Sequence, residues 1–125
     1  MLTNAVCRPT VAVSDIERAK KFYGETLGLK MSEGDLENLS FECGEGTRLE
    51  VYQSTFAGTA KSTVAGFRVD DVAATMEALR GKGVTFEDYD MPGLKTENGL
   101  ATLGEGKACW FKDPDGNTFA VLQGM

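Results

Sequence analysis

The stretch VAVSDIERAKKFYGETLGL, residues 11–29, contains the end of a strand, a helix start and a helix end in immediate succession. Small and β-branched residues come first, and Asp15 then offers a side chain that caps a helix. Apolar residues recur at helical spacing until Gly28, a residue type favoured at helix C-termini. We therefore predict a strand over residues 5–13 that leads directly into a helix over about residues 15–27.

The same order of residue types returns in the second half of the chain. Residues 11–16 align with residues 67–72, and both segments pass from strand-like residues to capping residues and an apolar helix face. The strand-like runs after the two helices lie near residues 30–32, 39–43 and 48–53, and near 84–87, 100–103, 108–112 and 118–122. We predict two βαβββ modules, about residues 1–54 and 62–125, joined by a linker of small and polar residues at 55–61.

Length and composition indicate a single globular domain. The chain has 125 residues, of which 42% are hydrophobic and 26% charged, as in typical soluble proteins. No apolar run is long enough to span a membrane and residues 1–9 do not resemble a secretory signal, so we expect a cytoplasmic protein without membrane contact. Because Cys7, Cys43 and Cys109 show no paired spacing, we expect all three to be reduced.

The charge balance and the absence of histidine exclude several classes of function. The net charge of -6 disfavours binding to nucleic acid, whose phosphates attract basic surfaces. Without histidine the chain lacks the commonest metal ligand and the usual general base at neutral pH. No cysteine-histidine or serine-histidine pair can form, so we interpret Cys109 as a packing residue and expect no nucleophilic role for it.

Two motifs stand out by their order and spacing. The first runs from Val13 to Ala19 and on to the Phe22-Tyr23 and Leu27-Gly28 pairs, and the second is WFKDPDGN at residues 110–117. Together they resemble the vicinal oxygen chelate superfamily, which includes glyoxalases, bleomycin resistance proteins and extradiol dioxygenases, over nearly the whole chain. The resemblance implies an α+β fold in which two βαβββ modules form an open, cup-shaped mixed sheet with helices on its outer face.

Metal-dependent members of this superfamily place their ligands at four inward-facing strand positions. By resemblance these positions correspond to Arg8, Glu50, Val64 and Ala120. Only Glu50 could coordinate a divalent ion, whereas catalytic metal sites normally use about three protein ligands. The resemblance therefore implies a member that lacks the metal site, and we expect no metal and no other cofactor.

Strand alternation predicts which other side chains share the inner face of the cup. Successive strand residues point to opposite faces, so alternate residues join Glu50 while their apolar neighbours face a helix. The predicted ligand-binding residues are Arg8, Arg48, Glu50, Tyr52, Arg68 and Trp110. Trp110 and Tyr52 offer flat apolar surfaces to an aromatic ligand, and the arginines offer paired donors to a carboxylate or phosphate. The alternative, given equal weight, is that Trp110 and Tyr52 fill a collapsed cup or a dimer interface.

Two other groups of charged residues have alternative interpretations. Arg8 and Glu50 form either a ligand anchor with its orienting carboxylate or, as we favour, a structural ion pair that replaces the lost cation. Glu33, Asp35 and Glu37 form either a solvated loop or a negative rim that attracts cationic ligands.

Three functions remain compatible with these residues. The favoured one is a metal-independent protein that sequesters a small aromatic or apolar ligand in the cup, like bleomycin resistance proteins, with a role in antibiotic resistance. The second is a glyoxalase-like lyase or isomerase that uses Glu50 as general base, with or without a metal. The third is an accessory interaction domain whose inner face is filled by its own side chains or by a partner. From the resemblance we expect a homodimer, and we assign no catalytic residue.

Overall fold

The computed structural model describes residues 1–32 and 38–125. The chain divides into two compact units, Met1–Ala57 and Gly58–Met125. Each unit contains one mixed sheet and one longer helical segment, and the first unit also has a short 3-10 helix at Gly44–Gly46, in agreement with the predicted α+β fold. The predicted acidic rim at residues 33–37 lies outside the described residues.

The first unit contains a four-stranded sheet. Its strands are β1 (Thr10–Val13), β2 (Lys30–Ser32), β3 (Asn38–Glu42) and β4 (Arg48–Gln53), in the spatial order β1-β4-β3-β2. β1 and β4 are parallel, and the other neighbours are antiparallel. The first strand is therefore shorter than the predicted range of residues 5–13, because the residues before Thr10 are not paired in a ladder with β4.

The helical segment of the first unit changes its winding part-way. It begins as α1 (Ile16–Ala19), where the Asp15 carboxylate accepts a bond of 3.1 Å from the Arg18 backbone N–H. It continues as a π-helix over Lys20–Thr26, in which Gly24 has weak helix propensity. The predicted extent of the helix agrees with this segment, but apolar spacing alone does not distinguish a π-helix from an α-helix.

One face of the first sheet is packed against this helical segment, and we call it the helix face. Val11, Val13, Leu49 and Val51 are buried there. Tyr23 of the π-helix is fully buried, and its ring lies 5.7 Å from the Phe41 ring. This apolar layer holds the sheet in one register, because a shift by one residue would turn every side chain to the other face.

The second unit contains a six-stranded sheet and a longer helix. The elements are β5 (Thr63–Arg68), α2 (Val72–Gly81), β6 (Asp90–Met91), β7 (Leu94–Glu97), β8 (Leu100–Leu103), β9 (Gly106–Lys112) and β10 (Thr118–Gln123). The spatial order is β5-β10-β9-β8-β7-β6, with β5 and β10 parallel. Asp71 caps α2 by accepting a bond of 3.1 Å from the Ala74 backbone N–H.

The second unit differs from the predicted βαβββ pattern in one region. The run at residues 84–87 contributes only an isolated bridge, between Phe86 and Phe111. A short hairpin of β6 and β7 follows it, and sequence periodicity missed this hairpin because its strands of two and four residues are too short to show an alternating apolar pattern. The Asp88 carboxylate holds the hairpin in place by accepting bonds from the Thr96 hydroxyl and the Gly99 backbone N–H.

The helix face of the second sheet is an aromatic layer. Phe111 lies between Phe119, whose ring is stacked 5.5 Å away, and Phe86, whose ring meets it edge-on at 6.2 Å. Val72 and Met76 of α2 are buried with them. Among residues 1–32 and 38–125, no helix is long and apolar enough to cross a membrane.

Candidate functional site

The opposite face of the first sheet, which we call its open face, is lined by polar side chains. Ladder partners share a face, and Glu50 is paired with Thr10 on one side and Ser40 on the other. Arg48 is paired with Glu42, and Tyr52 with Asn38. The structure thus places the predicted residues Arg48, Glu50 and Tyr52 on one face, away from the buried Leu49 and Val51.

Arg8, Glu50 and Arg48 belong to one hydrogen-bonded network on this face. Arg8 Nη1 donates to Glu50 Oε1 at 3.2 Å, and the Ser40 hydroxyl donates to the same oxygen at 3.1 Å. Arg48 Nε donates to Ser40 Oγ at 2.8 Å, and Arg48 Nη2 donates to the Ser32 hydroxyl. Glu50 is therefore held by a guanidinium and a hydroxyl, and the ion pair expected from sequence is present.

Tyr52 stands apart from this network at the end of β4. It is 37% exposed and borders a groove of about 860 Å³. Asn38 and Gln53 line the same groove, together with residues of the two adjoining loops. Arg8, Arg48 and Glu50 are not part of its lining.

In the second sheet, the face opposite the helix face carries Trp110, and we call it the open face of this sheet. The ladders place Trp110 beside Ala120, and Ala120 beside Gly66, so this row across three strands contains one large side chain and two very small positions. Arg68 lies on the same face in the next row, paired with Leu122. The structure thus places Trp110 and Arg68 on one face but separated by the whole width of β10.

Tyr89 is a neighbour of Trp110 that sequence reasoning missed. The two rings meet edge-on with centroids 5.4 Å apart and an interplanar angle of 83°. The backbone N–H of Glu87 donates to the Trp110 carbonyl at 2.8 Å, and burial, with a smaller effect of Glu87, raises the pKa of the Tyr89 phenol. Continuing the alternation of the predicted strand from Glu87 by two residues would have found Tyr89.

The three cysteines are free thiols with different surroundings. Cys7 is exposed, whereas Cys109 is buried on the helix face of the second sheet. Burial raises the pKa of the Cys109 thiol to about 11, so it stays protonated and unreactive near neutral pH. This agrees with a packing role.

A model of the glyoxalase/bleomycin resistance protein/dioxygenase superfamily matches residues 6–121. The chain belongs to this superfamily. No curated protein sequence matches it, and the informative similarities are to solved structures.

Three structures illustrate the range of this superfamily around the present fold. A glyoxalase/bleomycin resistance protein from Streptomyces sp. CB03234 is 28% identical, with a TM-score of 0.65 over 91% of this chain and 96% of that one. An antibiotic binding protein from the same organism is 25% identical, with a TM-score of 0.67 over 97% and 98%. A glyoxalase family protein from Enterococcus faecalis, 19% identical, has a TM-score of 0.73 over 98% and 100%, and shows the shared fold alone.

The residues at the four positions that the resemblance assigns to metal ligands do not suit a metal ion. Val64 and Ala120 have no ligating side-chain atoms, and Arg8 is a cation. The remaining position, Glu50, is bonded through Oε1 to the Arg8 guanidinium, a positive charge where a metal-binding member would use a ligand. In the part of the chain that the structure describes, no three aspartate, glutamate or cysteine side chains lie close enough together to hold a metal ion.

Proposed function

We propose that this protein is a metal-independent small-molecule-binding protein that sequesters an aromatic or apolar ligand, as a bleomycin resistance protein does. The open face of each sheet, taken by itself, is a binding surface in this proposal. The residues of the two surfaces are those predicted from sequence, Arg8, Arg48, Glu50, Tyr52, Arg68 and Trp110, with Tyr89 added beside Trp110.

The observation that carries the proposal is the Arg8–Glu50 pair. The nitrogen-oxygen distance of 3.2 Å puts a guanidinium against the one carboxylate that could have served as a metal ligand. The superfamily's metal-dependent reactions need a metal ion with an open coordination site for the substrate. A guanidinium carries a positive charge but offers no such site. Binding needs no such cation, and the 25% identical antibiotic binding protein offers a precedent within the same fold.

Trp110 and Tyr89 suit a planar ligand. Their edge-on arrangement forms a right-angled aromatic corner, and the row continues on the other side of Trp110 with the buried Ala120 and then the exposed Gly66. Aromatic rings contribute large contact areas, and offset or edge-to-face stacking adds about 0.5–1.5 kcal/mol per pair. In this proposal Arg68, on the edge strand β5, contacts an acidic substituent of the ligand.

The test uses the fluorescence of Trp110, the only tryptophan, in protein stripped of metal with a chelator. The ligands are metal-free bleomycin, the planar aromatic 4-methylumbelliferone and the thiol conjugate S-hexylglutathione. We expect saturable quenching by one of the first two. Titration calorimetry on Trp110→Ala should then show at least a tenfold weaker affinity, equivalent to about 1.4 kcal/mol.

Phe56→Ala is the matched control, because Phe56 is an aromatic residue that is 75% exposed and lies outside both sheets. It should bind as the wild type does. Binding that requires added divalent ions, and that disappears in Glu50→Ala, would reject the proposal in favour of a glyoxalase-like metalloenzyme. Failure of all ligands to bind, with Trp110→Ala weakening self-association, would favour an interaction domain.

A cytoplasmic location and a homodimer belong to the same proposal. Three free cysteines are compatible with a reducing compartment, and twofold dimers are the commonest oligomers. Light scattering coupled to size-exclusion chromatography tests the dimer, since a monomer at all concentrations would contradict it.

A further inference from the structure

The turn between β7 and β8 consists of Asn98 and Gly99, which form the only Asn-Gly sequence in the chain. Both residues have positive φ angles, 53° for Asn98 and 83° for Gly99, as a two-residue type I′ hairpin turn requires. A Cβ at position 99 would lie 2.8 Å from the Phe86 Cβ, so a larger residue would clash there. The turn therefore requires glycine at position 99 and favours asparagine at position 98.

An asparagine that is followed by glycine is prone to deamidation, because glycine has no side chain to hinder ring closure. The backbone nitrogen of the glycine loses its proton and attacks the side-chain Cγ of the asparagine. A carbon-nitrogen bond forms, the side-chain nitrogen leaves with that proton as ammonia, and a cyclic succinimide remains. Water then opens the ring at Cγ to give aspartate, or at the main-chain carbonyl to give isoaspartate.

The peptide group between Asn98 and Gly99 is held at both of its polar atoms. The Gly99 N–H donates to Asp88 Oδ1 at 2.8 Å, and the Asn98 carbonyl accepts from Arg80 Nη2 at 2.7 Å. The Arg80 guanidinium also lies over the Phe86 ring, 5.3 Å from its centre. Because the attacking nitrogen is bonded to a carboxylate, it can lose its proton only when the turn opens, as in amide hydrogen exchange.

The other two reactants, the side-chain amide and water, meet without such a barrier. Asn98 is exposed, whereas Gly99 is buried. Both border an open groove of about 420 Å³, together with Arg80 and Asp88. Opening of the turn is therefore the step that limits the reaction.

We propose that Asn98 is a site of spontaneous deamidation, and that the hydrogen bonds to Asp88 and Arg80 set its rate. This inference does not depend on which ligand the protein binds. It assigns a covalent modification to a turn that lies outside both open faces.

The modification reaches the segment that carries Tyr89. Isoaspartate adds one carbon atom to the main chain of the turn, which moves the Gly99 N–H away from Asp88. The same Asp88 oxygen accepts from the Thr96 hydroxyl at 2.7 Å, and Thr96 Oγ1 accepts from the Tyr89 N–H at 2.8 Å. Conversion of Asn98 thus loosens the bonds that hold Tyr89 next to Trp110.

The first test compares the native wild type with the same chain unfolded in guanidinium chloride, both kept at mildly alkaline pH. Peptide mapping by mass spectrometry measures the conversion of the Asn98 amide to an acid and distinguishes aspartate from isoaspartate. We expect the native protein to react at least about tenfold more slowly than the unfolded chain. Equal rates would overturn the proposal.

The second test identifies the bonds that protect the site. In native Asp88→Ala, deamidation and hydrogen exchange of the Gly99 amide should both accelerate by about tenfold, because the acceptor of the N–H is lost. Asp88→Asn keeps an acceptor oxygen and should give an intermediate rate. Asp90→Ala removes an aspartate from β6 and should behave as the wild type does. Deamidation at the wild-type rate in Asp88→Ala, with faster exchange of Gly99, would reject the protective role.

Arg80→Met is a second variant, for use if Asp88→Ala does not fold. It removes only the bond to the Asn98 carbonyl, and should accelerate deamidation by about threefold. An unchanged rate would then contradict the proposal. The isoaspartate form, separated by ion exchange, should show faster hydrogen exchange of the Tyr89 amide than fresh protein does. Equal exchange would reject the effect on Tyr89.

Discussion

The two sheets have closely similar helix faces and very different open faces. In both, a parallel pair of strands at one end buries aliphatic and aromatic side chains against a helix. On the open face, the first sheet has the network of Arg8, Glu50, Ser40 and Arg48, whereas the second has the row of Gly66, Ala120 and Trp110. The helix face thus determines the fold, and the open face is free to differ in chemistry.

The largest expected effect is on the helix faces of the two sheets, in which the sheets are similar. Phe111→Ala removes a ring that contacts both Phe86 and Phe119, and should lower the free energy of unfolding by about 3–5 kcal/mol. Phe41→Ala in the first unit should cost a similar amount, because Phe41 is also fully buried. Urea denaturation measures both, and Phe56→Ala should change stability by less than about 0.5 kcal/mol. A loss below about 1 kcal/mol at either site would contradict the equivalence of the two helix faces.

The ion pairs on the two open faces should differ in strength. A double-mutant cycle with Arg8→Met and Glu50→Gln should give a coupling energy of about 0.5–1 kcal/mol, because Glu50 is mostly shielded and also accepts from Ser40. Lys112 Nζ on β9 and Glu87 Oε1 in the segment before β6 are 4.0 Å apart, and their cycle should give a value near zero because both side chains are well exposed.

Salt provides the control for this comparison. Raising the ionic strength to about 1 M should reduce any coupling of Lys112 to Glu87 more completely than that of Arg8 to Glu50, since exposed pairs are screened most. Equal coupling energies in the two sheets would show that the network of the first sheet adds nothing to a simple surface pair.

The smallest effect concerns the β6–β7 hairpin, which has no counterpart in the first unit. Hydrogen bonds from Thr96 and from the Gly99 backbone, with a smaller effect of Arg80, lower the pKa of Asp88 from 3.8. A lowered pKa contributes stability that is present above pH 3.8 and is lost as the pH falls below it.

The stability difference between wild type and Asp88→Asn should therefore be constant from neutral pH down to about pH 5 and shrink below pH 3.8. Urea denaturation across this pH range measures it. Glu97→Gln is a suitable control, because it removes a carboxylate from β7 of the same hairpin. A difference that grows towards low pH would contradict the assigned direction.

Sequence periodicity predicted the parts of the fold that depend on apolar patterning. Both helices and the strands near residues 48–53 and 118–122 follow from apolar residues spaced for one buried face. The β6–β7 hairpin was not predicted in this way. Asp88, Thr96 and Gly99 stabilise it through specific hydrogen bonds, which leave no periodic signal in the sequence.

The candidate site was only partly accessible to the same reasoning. Alternation placed Glu50, Tyr52 and Trp110 on their faces, and the Arg8–Glu50 pair was expected. The sequence did not predict Ser40 and Ser32 as partners of Arg48, because serines in neighbouring strands can be assigned as partners only once the register is known. Whether the predicted residues contact a ligand stays a prediction.

Under the proposed binding function, Gly66 has a consequence for how ligand preference changes by mutation. An added Cβ there would lie 3.1 Å from Leu122 Cδ1, close enough to push that side chain without touching the helix face. A larger residue at position 66 would therefore displace Leu122, which lies on the same face of the sheet as Trp110, while leaving the residues of the helix face in place. In a directed-evolution library, variation at these two positions should produce altered ligand preferences more often than it produces unfolded protein.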